Sequence, residues 1–442
     1  MTIGMPLPRR WLADTLGSAD FARVFTVTVI ATIAATHLIE RLAGTPTLVT
    51  IIAAECLIAV ATLVVRRGEL SALRLLPMTL LVFLAWSLAS VVWSVDPGAS
   101  FIRWLSTAAV ALLAVTIGHI RDTLQTVRAV GDVARWLLAI SLGLEILSGI
   151  LLDTPFTFLG ISGDLAEWGP IQGVFGTRNM LGFFSVIALV TFAIELRTRS
   201  VRTGVAAASI ALAAATALLS ASPTVFVLVI VVASIAGVLY LVRRLPEGRR
   251  TPVQWALAGV AAIGGVAAYL QRSEIIRVLG AADDLAMRTE LWRLMEFYVR
   301  RYPVQGWGWF GPWDPQESPF AIINYLLEER HTTALNAYMD ALLQLGWAGV
   351  AVFVAFFALT FARSWLDASR RRAAVHAWIP LLVAALAVVS VFESFTLFGI
   401  GWLLLVVCAV RAGQSRSWRE RLGSRTGAPD LPRSPGDHSL DG

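Results

Sequence analysis

The sequence contains no lysine, so all 36 of its Lys-plus-Arg positions are arginine. Charged residues make up only 15% of it, against 57% hydrophobic residues and a mean hydropathy of +0.71. So little charge excludes an ordinary soluble globular domain. Cysteine is almost absent. Cys56 and Cys408 both fall inside apolar runs, which argues against a disulfide framework or a cysteine metal site and for packing as small apolar residues. Histidine is scarce too, with five in the chain, so few side chains titrate near neutrality. The net charge of +6 is poor evidence for nucleic-acid binding, because the arginines collect in short loops between apolar runs. No charged leader with a small-residue cleavage site stands apart from the first apolar run, which is therefore expected to remain as an anchor.

What the chain has in abundance is apolar runs, each about 18 to 25 residues and long enough to cross roughly 30 Å of hydrocarbon as a helix. They predict an all-α polytopic membrane protein of about twelve transmembrane helices. About nine fall within residues 22–270 and about three within 336–412. Every second connection is rich in arginine: Arg66, Arg67 and Arg74; Arg121 and Arg128; Arg197, Arg199 and Arg202; Arg243, Arg244, Arg249 and Arg250; Arg370, Arg371 and Arg372. These loops read as cytoplasmic. The N-terminus, residues 1–21 with Arg9 and Arg10, and the tail, residues 413–442, are then cytoplasmic as well. The tail's Ser, Gly, Pro and Arg content predicts disorder. The localisation that follows is a multi-pass protein of the cytoplasmic membrane.

On the opposite side two connections are long, residues 153–178 and 271–335, and loops of that length usually carry function. In the second, the sequence RTELWRLMEFYVRRYP (288–303) predicts an amphipathic helix stopped by Pro303. Thr289, Arg293, Glu296 and Arg300 form its polar stripe, whereas Arg288 shares the stripe of Trp292, Met295 and Val299 that should be packed. A packed guanidinium needs an anionic partner, either a carboxylate of the protein or a phosphate of a ligand. The following VQGWGWFGPWD places Trp307, Trp309 and Trp313 among glycines and prolines, either as an interfacial belt or as a sugar-stacking wall.

The first long connection ends in GVFGTRNMLGFF (173–184), where Thr177, Arg178 and Asn179 stand at the start of a span. A helix start there favours an anion; the plainer reading is an N-cap with Arg178 at the headgroups. The second ends in HTTALNAYMDALLQLGWAG (331–349). His331 is the only histidine of that loop and can take a proton at neutral pH, unless it is a solvated loop residue. Asn336 and Asp340, four apart, share a helix face at the membrane entrance. Gly346 and Gly349 form a small-x-x-small pair, more often a mark of close packing. Inside the spans, Glu55 and Glu145 either mark a pathway or pair with Arg103 or Arg135.

In this order the stretches G-V-F-G-T-R-N-M-L-G, S-A-S-P-T (220–224), R-T-E-L-W with Y-P-V-Q-G-W-G, and N-A-Y-M-D-A-L-L-Q-L-G-W-A-G resemble the O-antigen ligase and polysaccharide polymerase superfamily of membrane glycosyltransferases. The resemblance implies a glycan donor on undecaprenyl pyrophosphate, a glycan or lipid-glycan acceptor, and extracytoplasmic chemistry in cell-surface or exopolysaccharide biosynthesis. It implies no cofactor, nucleotide or metal. Family arginines that hold the pyrophosphate map onto Arg288 and Arg178; the residues read above add Thr177, Asn179, Asn336, Trp307 and Trp309 as expected substrate contacts. The family base is a histidine in an H-N-x-x-L pattern. Here Leu335 stands where that histidine would precede Asn336, and His331 lies four residues earlier. If a helix extended back through Thr332 and Thr333, His331 would reach the same pocket; otherwise Asp340 is the leading replacement base. A transporter or flippase of a lipid-linked glycan is the rival reading. No matching halves or paired broken helices support it.

Overall fold

A computed structural model describes residues 14–68, 76–271, 274 and 282–414. Arg9, Arg10, Arg74, the 275–281 portion of the long loop and the expected disordered tail beyond 414 lie outside the described residues. Among the described residues the architecture is helical apart from one isolated bridge, Phe156 to Ile161. The helices are α1 (Ala19–Ala34), α2 (Thr36–Ala43), α3 (Thr45–Val65), α4 (Met78–Ala89), α5 (Pro97–Ile120), α6 (Thr123–Ile146) and α7 (Arg178–Thr198). There follow α8 (Thr203–Leu219), α9 (Pro223–Arg244), α10 (Glu247–Leu270), α11 (Ala282–Val299), α12 (Phe320–Leu327), α13 (Ala337–Arg370), α14 (Trp378–Phe392) and α15 (Gly399–Gln414).

Among the described residues seven helices are long and apolar enough to cross a membrane, eight if α1 and α2, bent by 73° to each other, count as one span. The expected count of about twelve is not reached on this measure. The expected runs do coincide with helices, but three are short: α4 with its continuation to Trp93, α8 and α15. A helix of 17 residues such as α8 rises only about 25 Å. The bundle is built around α7 and α14, whose apolar windows are 72% and 67% buried, whereas α3 and α9 are 22% buried and lie at the periphery. Almost every residue of α15 from Ile400 to Val410 is enclosed, with Val410 filling the place where Gly118 of α5 lacks a Cβ.

Many buried polar side chains find partners across the bundle, as an apolar surrounding demands. Trp378 Nε1 donates to Thr191 Oγ1 at 3.1 Å, Trp402 Nε1 to the Thr107 carbonyl at 3.1 Å, and Ser185 lies 2.9 Å from Thr216. The in-bundle acids pair differently from the sequence reading. Arg103 forms a bidentate pair with Glu317 (2.7 and 2.8 Å), and Arg135 binds Asp132 and Glu195. Glu145 instead caps a loop, accepting from the backbone N–H groups of Gln172 and Gly173 at 2.9 and 2.8 Å. Glu55 accepts from Thr32 Oγ1 at 2.8 Å. Among the described residues neither pairs with an arginine: Glu145 serves the Gln172–Gly173 turn and Glu55 the Thr32 hydroxyl.

The element that decides the site is α13. It is broken at Gly346, whose φ of 66° and ψ of −170° are essentially open only to glycine. A Cβ there would sit 2.2 Å from the Val304 carbonyl. The glycine is therefore a helix break rather than a simple packing notch. A break frees backbone groups that lipid cannot satisfy, so protein must. Residues 303–308 do this: Trp307 and Gly308 donate to the Leu343 and Gln344 carbonyls (3.0 and 2.9 Å), while Trp347 and Ala348 donate to the Pro303 and Val304 carbonyls (2.8 and 3.2 Å). Trp86 Nε1 takes the Leu345 carbonyl at 3.1 Å.

Candidate functional site

Helix α11 presents Arg288, Leu291, Met295 and Val299 inward and leaves Thr289, Arg293, Glu296 and Arg300 exposed. The exposed charges pair within the helix, Arg293 with Glu290 and Arg300 with Glu296. Arg288 is 6% exposed. Its guanidinium donates to the Leu335 carbonyl at 2.9 Å, to the Phe392 carbonyl and, at 3.3 Å, to Glu393 Oε1. Of the two partners the sequence left open for Arg288, the structure contains a protein carboxylate.

That carboxylate joins the other motifs. Glu393 Oε1 also accepts from Asn179 Nδ2 at 2.6 Å, and Asn179 Oδ1 accepts from Ser222 Oγ at 2.8 Å. One hydrogen-bonded chain thus runs from the S-A-S-P-T break before α9, through the start of α7 and the end of α14, to α11. Thr177 caps α7, its Oγ1 accepting from the Met180 N–H at 3.2 Å. Gly176, at φ 78°, lets the turn close against the His37 ring. Arg178 and Thr177 are exposed. Among the described residues Arg178 has no ion-pair partner, so its guanidinium is open to a ligand phosphate.

The stretch before α13 does not continue the helix. Asn336 caps it, Oδ1 accepting from the Tyr338 and Met339 N–H groups at 2.9 and 3.1 Å, and Leu335 has a positive φ of 52°. The helical route by which His331 would replace Leu335 is therefore closed, because an N-cap residue ends the helical backbone. His331 is nevertheless buried, 7% exposed. Asn324 clamps its backbone on both sides, accepting from its N–H at 2.8 Å and donating to its carbonyl at 3.1 Å. Its Nε2 lies 3.2 Å from Glu329 Oε2 without hydrogen-bond alignment and makes no hydrogen bond. Burial pushes the imidazole below its ordinary value; Glu329 pulls it up, and Arg288 pushes it down again. Burial thus favours the neutral imidazole, the form a base requires.

Asp340 is fully enclosed. It accepts from the Ala334 N–H at 3.0 Å, from Ser394 Oγ and from Gln344 Nε2 at 3.3 Å. It thereby ties the His331 loop to the segment after Glu393. The tryptophans divide. Trp309 is fully buried, its N–H groups donating to Ser90 and Thr107 and its ring packed against Phe83 and Phe398. Trp313 stacks on Phe320 at 4.5 Å. Trp307 is half-buried between Tyr298 and Tyr302. Of the three, Trp307 keeps part of its surface accessible, while Trp309 and Trp313 serve the core.

Among the described residues no group of three His, Cys, Asp or Glu side chains is placed to hold a metal ion. Sequence reasoning missed Glu393 and Ser394. Their signal is a single F-E-S-F interruption between two apolar runs, too short to stand out as a motif.

Residues 208–354 match the family model of the O-antigen ligase. The O-antigen ligase segment spans α8 through the break in α13, and so contains Ser222, Arg288, His331, Asn336 and Asp340. Asn179 and Glu393, which complete the chain of contacts, lie outside the O-antigen ligase match. A comparison with curated proteins returned no match. The match covers about a third of the chain and agrees with the O-antigen ligase resemblance read from the motifs.

Proposed function

We propose that this chain transfers a glycan from undecaprenyl pyrophosphate to an acceptor sugar hydroxyl on the extracytoplasmic face of the membrane, as a polymerase or a ligase. The observation that carries the reading is the convergence of four distant stretches in the chain Ser222–Asn179–Glu393–Arg288, with exposed Arg178 next to Asn179 in sequence and the buried His331 close enough to Arg288 to feel its charge. The same reading makes residues 271–335 the extracytoplasmic loop, because α7, α9 and α14 carry their arginine clusters at the ends remote from this site.

In the reaction, the acceptor hydroxyl attacks the anomeric carbon of the donor, the bond to the pyrophosphate oxygen breaks, and undecaprenyl pyrophosphate leaves. His331 Nε2 accepts the hydroxyl proton. Arg178 meets the pyrophosphate first, and Arg288 joins it by exchanging Glu393 for a phosphate oxygen. Stabilising charge that grows on the leaving group lowers the barrier more than it tightens the ground state. Asp340 is a positioning residue that fixes the loop carrying His331, and Thr177, Asn179 and Asn336 shape the floor through their caps and contacts. Trp307 supplies an aromatic face for sugar. A flippase would also suit a broken helix, but the backbone groups freed at Gly346 are taken by residues 303–308 and Trp86, which argues against an ion or substrate site at the break.

The test is incubation of the purified protein with an undecaprenyl-pyrophosphate oligosaccharide and no nucleotide, following product length and free lipid pyrophosphate. A ladder of products indicates polymerisation and a single addition indicates ligation. His331→Ala should lose about 10²–10⁴-fold in rate, and Arg178→Ala should raise the donor KM. Absence of turnover by the unmodified protein sinks the reading, whereas full turnover by His331→Ala removes the base assignment alone.

A further inference from the structure

At the end of the bundle remote from Arg288 lies a cavity of about 900 Å³, within the range of small-molecule sites. Its mouth is ringed by Arg197 at the end of α7, Arg243 and Arg244 at the end of α9, and Arg372 before α14. These come from three separate basic connections that the sequence explains only as topology signals. Last-turn arginines also answer the helix dipoles of α7 and α9, yet that accounts for neither the cavity nor Arg372. The walls are apolar, from Ile194, Ala236, Leu239 and Leu381, and continue along the membrane spans.

The charge in this cavity is uncompensated. Among the described residues no carboxylate lines it. Acids on the elements that line it are engaged elsewhere: Asp367 with Arg371 and His376, and Glu195 with Arg135. Arg243 is fixed by one bond, Nε to the Ala368 carbonyl at 2.9 Å, while its Nη2 is enclosed and has no hydrogen-bond partner. Arg244 is held over the Tyr240 ring at 4.4 Å. A buried guanidinium nitrogen without an acceptor is costly, and an anion repays that cost.

We infer that this cavity binds an anionic phospholipid, its phosphodiester on Arg243, Arg197 and Arg372 and its acyl chains along the apolar wall between α7 and α9. Basic clefts between membrane helices are suited to such headgroups. Since α7 rises about 30 Å between the two ends, the site belongs to the leaflet opposite the proposed glycan chemistry.

The experiment is native mass spectrometry of the full-length protein in detergent, titrated with phosphatidylglycerol, phosphatidylcholine or inorganic phosphate. The unmodified protein should retain phosphatidylglycerol, with phosphatidylcholine and inorganic phosphate binding far more weakly. The triple variant Arg197→Gln/Arg243→Gln/Arg372→Gln should bind phosphatidylglycerol about a hundredfold more weakly, at roughly a factor of five per arginine near the surface. The charge-matched control Arg67→Gln/Arg202→Gln/Arg249→Gln should bind as the unmodified protein does. Should loss of Arg243 impair folding, the exposed pair Arg197→Gln/Arg372→Gln serves, with a loss of about twenty-fold. Equal loss in the control, equal binding of phosphatidylcholine, or full competition by inorganic phosphate overturns the proposal.

Discussion

Glu393 and Arg288 form a pair enclosed on both sides, with side-chain exposures of 6% and 7%. Removing one partner of such a pair strands the other, at about 3–5 kcal/mol. Arg288→Met and Glu393→Met should therefore each destabilise the protein strongly, while the double variant loses less than the sum, which denaturant unfolding in detergent will read as a coupling of about 3 kcal/mol. Additive losses would mean that the two do not depend on each other. His331 makes a prediction in pH. Because burial lowers its proton affinity, the acid limb of the rate profile should lie below about pH 6.5, the ordinary imidazole value. Glu329 raises that affinity, so Glu329→Gln should move the limb further down, and an unmoved limb would assign it to another group. For stability the sign is the same. As pH falls through the unfolded value, the unfolded imidazole takes a proton that the folded one excludes, and stability declines.

At the scale of elements, the break in α13 is the most sensitive position in the fold. Gly346→Ala combines an unfavourable backbone with a Cβ placed 2.2 Å from a carbonyl oxygen, and should cost about 3 kcal/mol or more, measured by thermal unfolding. Gly349 of the same motif has ordinary helical backbone, yet a Cβ there would fall on the Leu345 Cβ, an atom fixed to the main chain, so this position is sterically closed as well. Elements also show what the sequence could express. The helical spacing of Arg288, Trp292, Met295 and Val299 is a local pattern, and so it identifies the packed face of α11. The left-handed Leu335, the break at Gly346 and the Arg288–Glu393 contact, the last between residues 105 apart, depend on segments distant in the chain, and no local period records them. Trp309 fails as a sugar-contact signal for the same reason: the Gly-Trp-Gly-Trp spacing looks exposed until Ser90, Thr107 and Phe83 arrive from other helices to enclose it.

For the whole molecule, the arginine pattern and the site lie at opposite ends of the same helices, which gives a topological prediction. In a background lacking Cys56 and Cys408, cysteine at Arg178 should react with an impermeant thiol reagent added outside intact cells, and cysteine at Arg249 only after permeabilisation. The reverse outcome would place the glycan chemistry on the inner side and end the proposed function. The span count bears on the same question. The short helices α8 and α15 shift the boundaries of the bundle but leave the end-to-end separation of α7, α9 and α14 intact, so the sidedness argument does not depend on the total of twelve.

The interruption in α13 has one more consequence. Its longer half, residues 347–370, rises about 36 Å and spans a bilayer without help. On the proposed function the shorter half is released from the hydrocarbon, and Asn336, Asp340 and Gln344 sit at headgroup depth, the level at which a carrier lipid presents its phosphates to water.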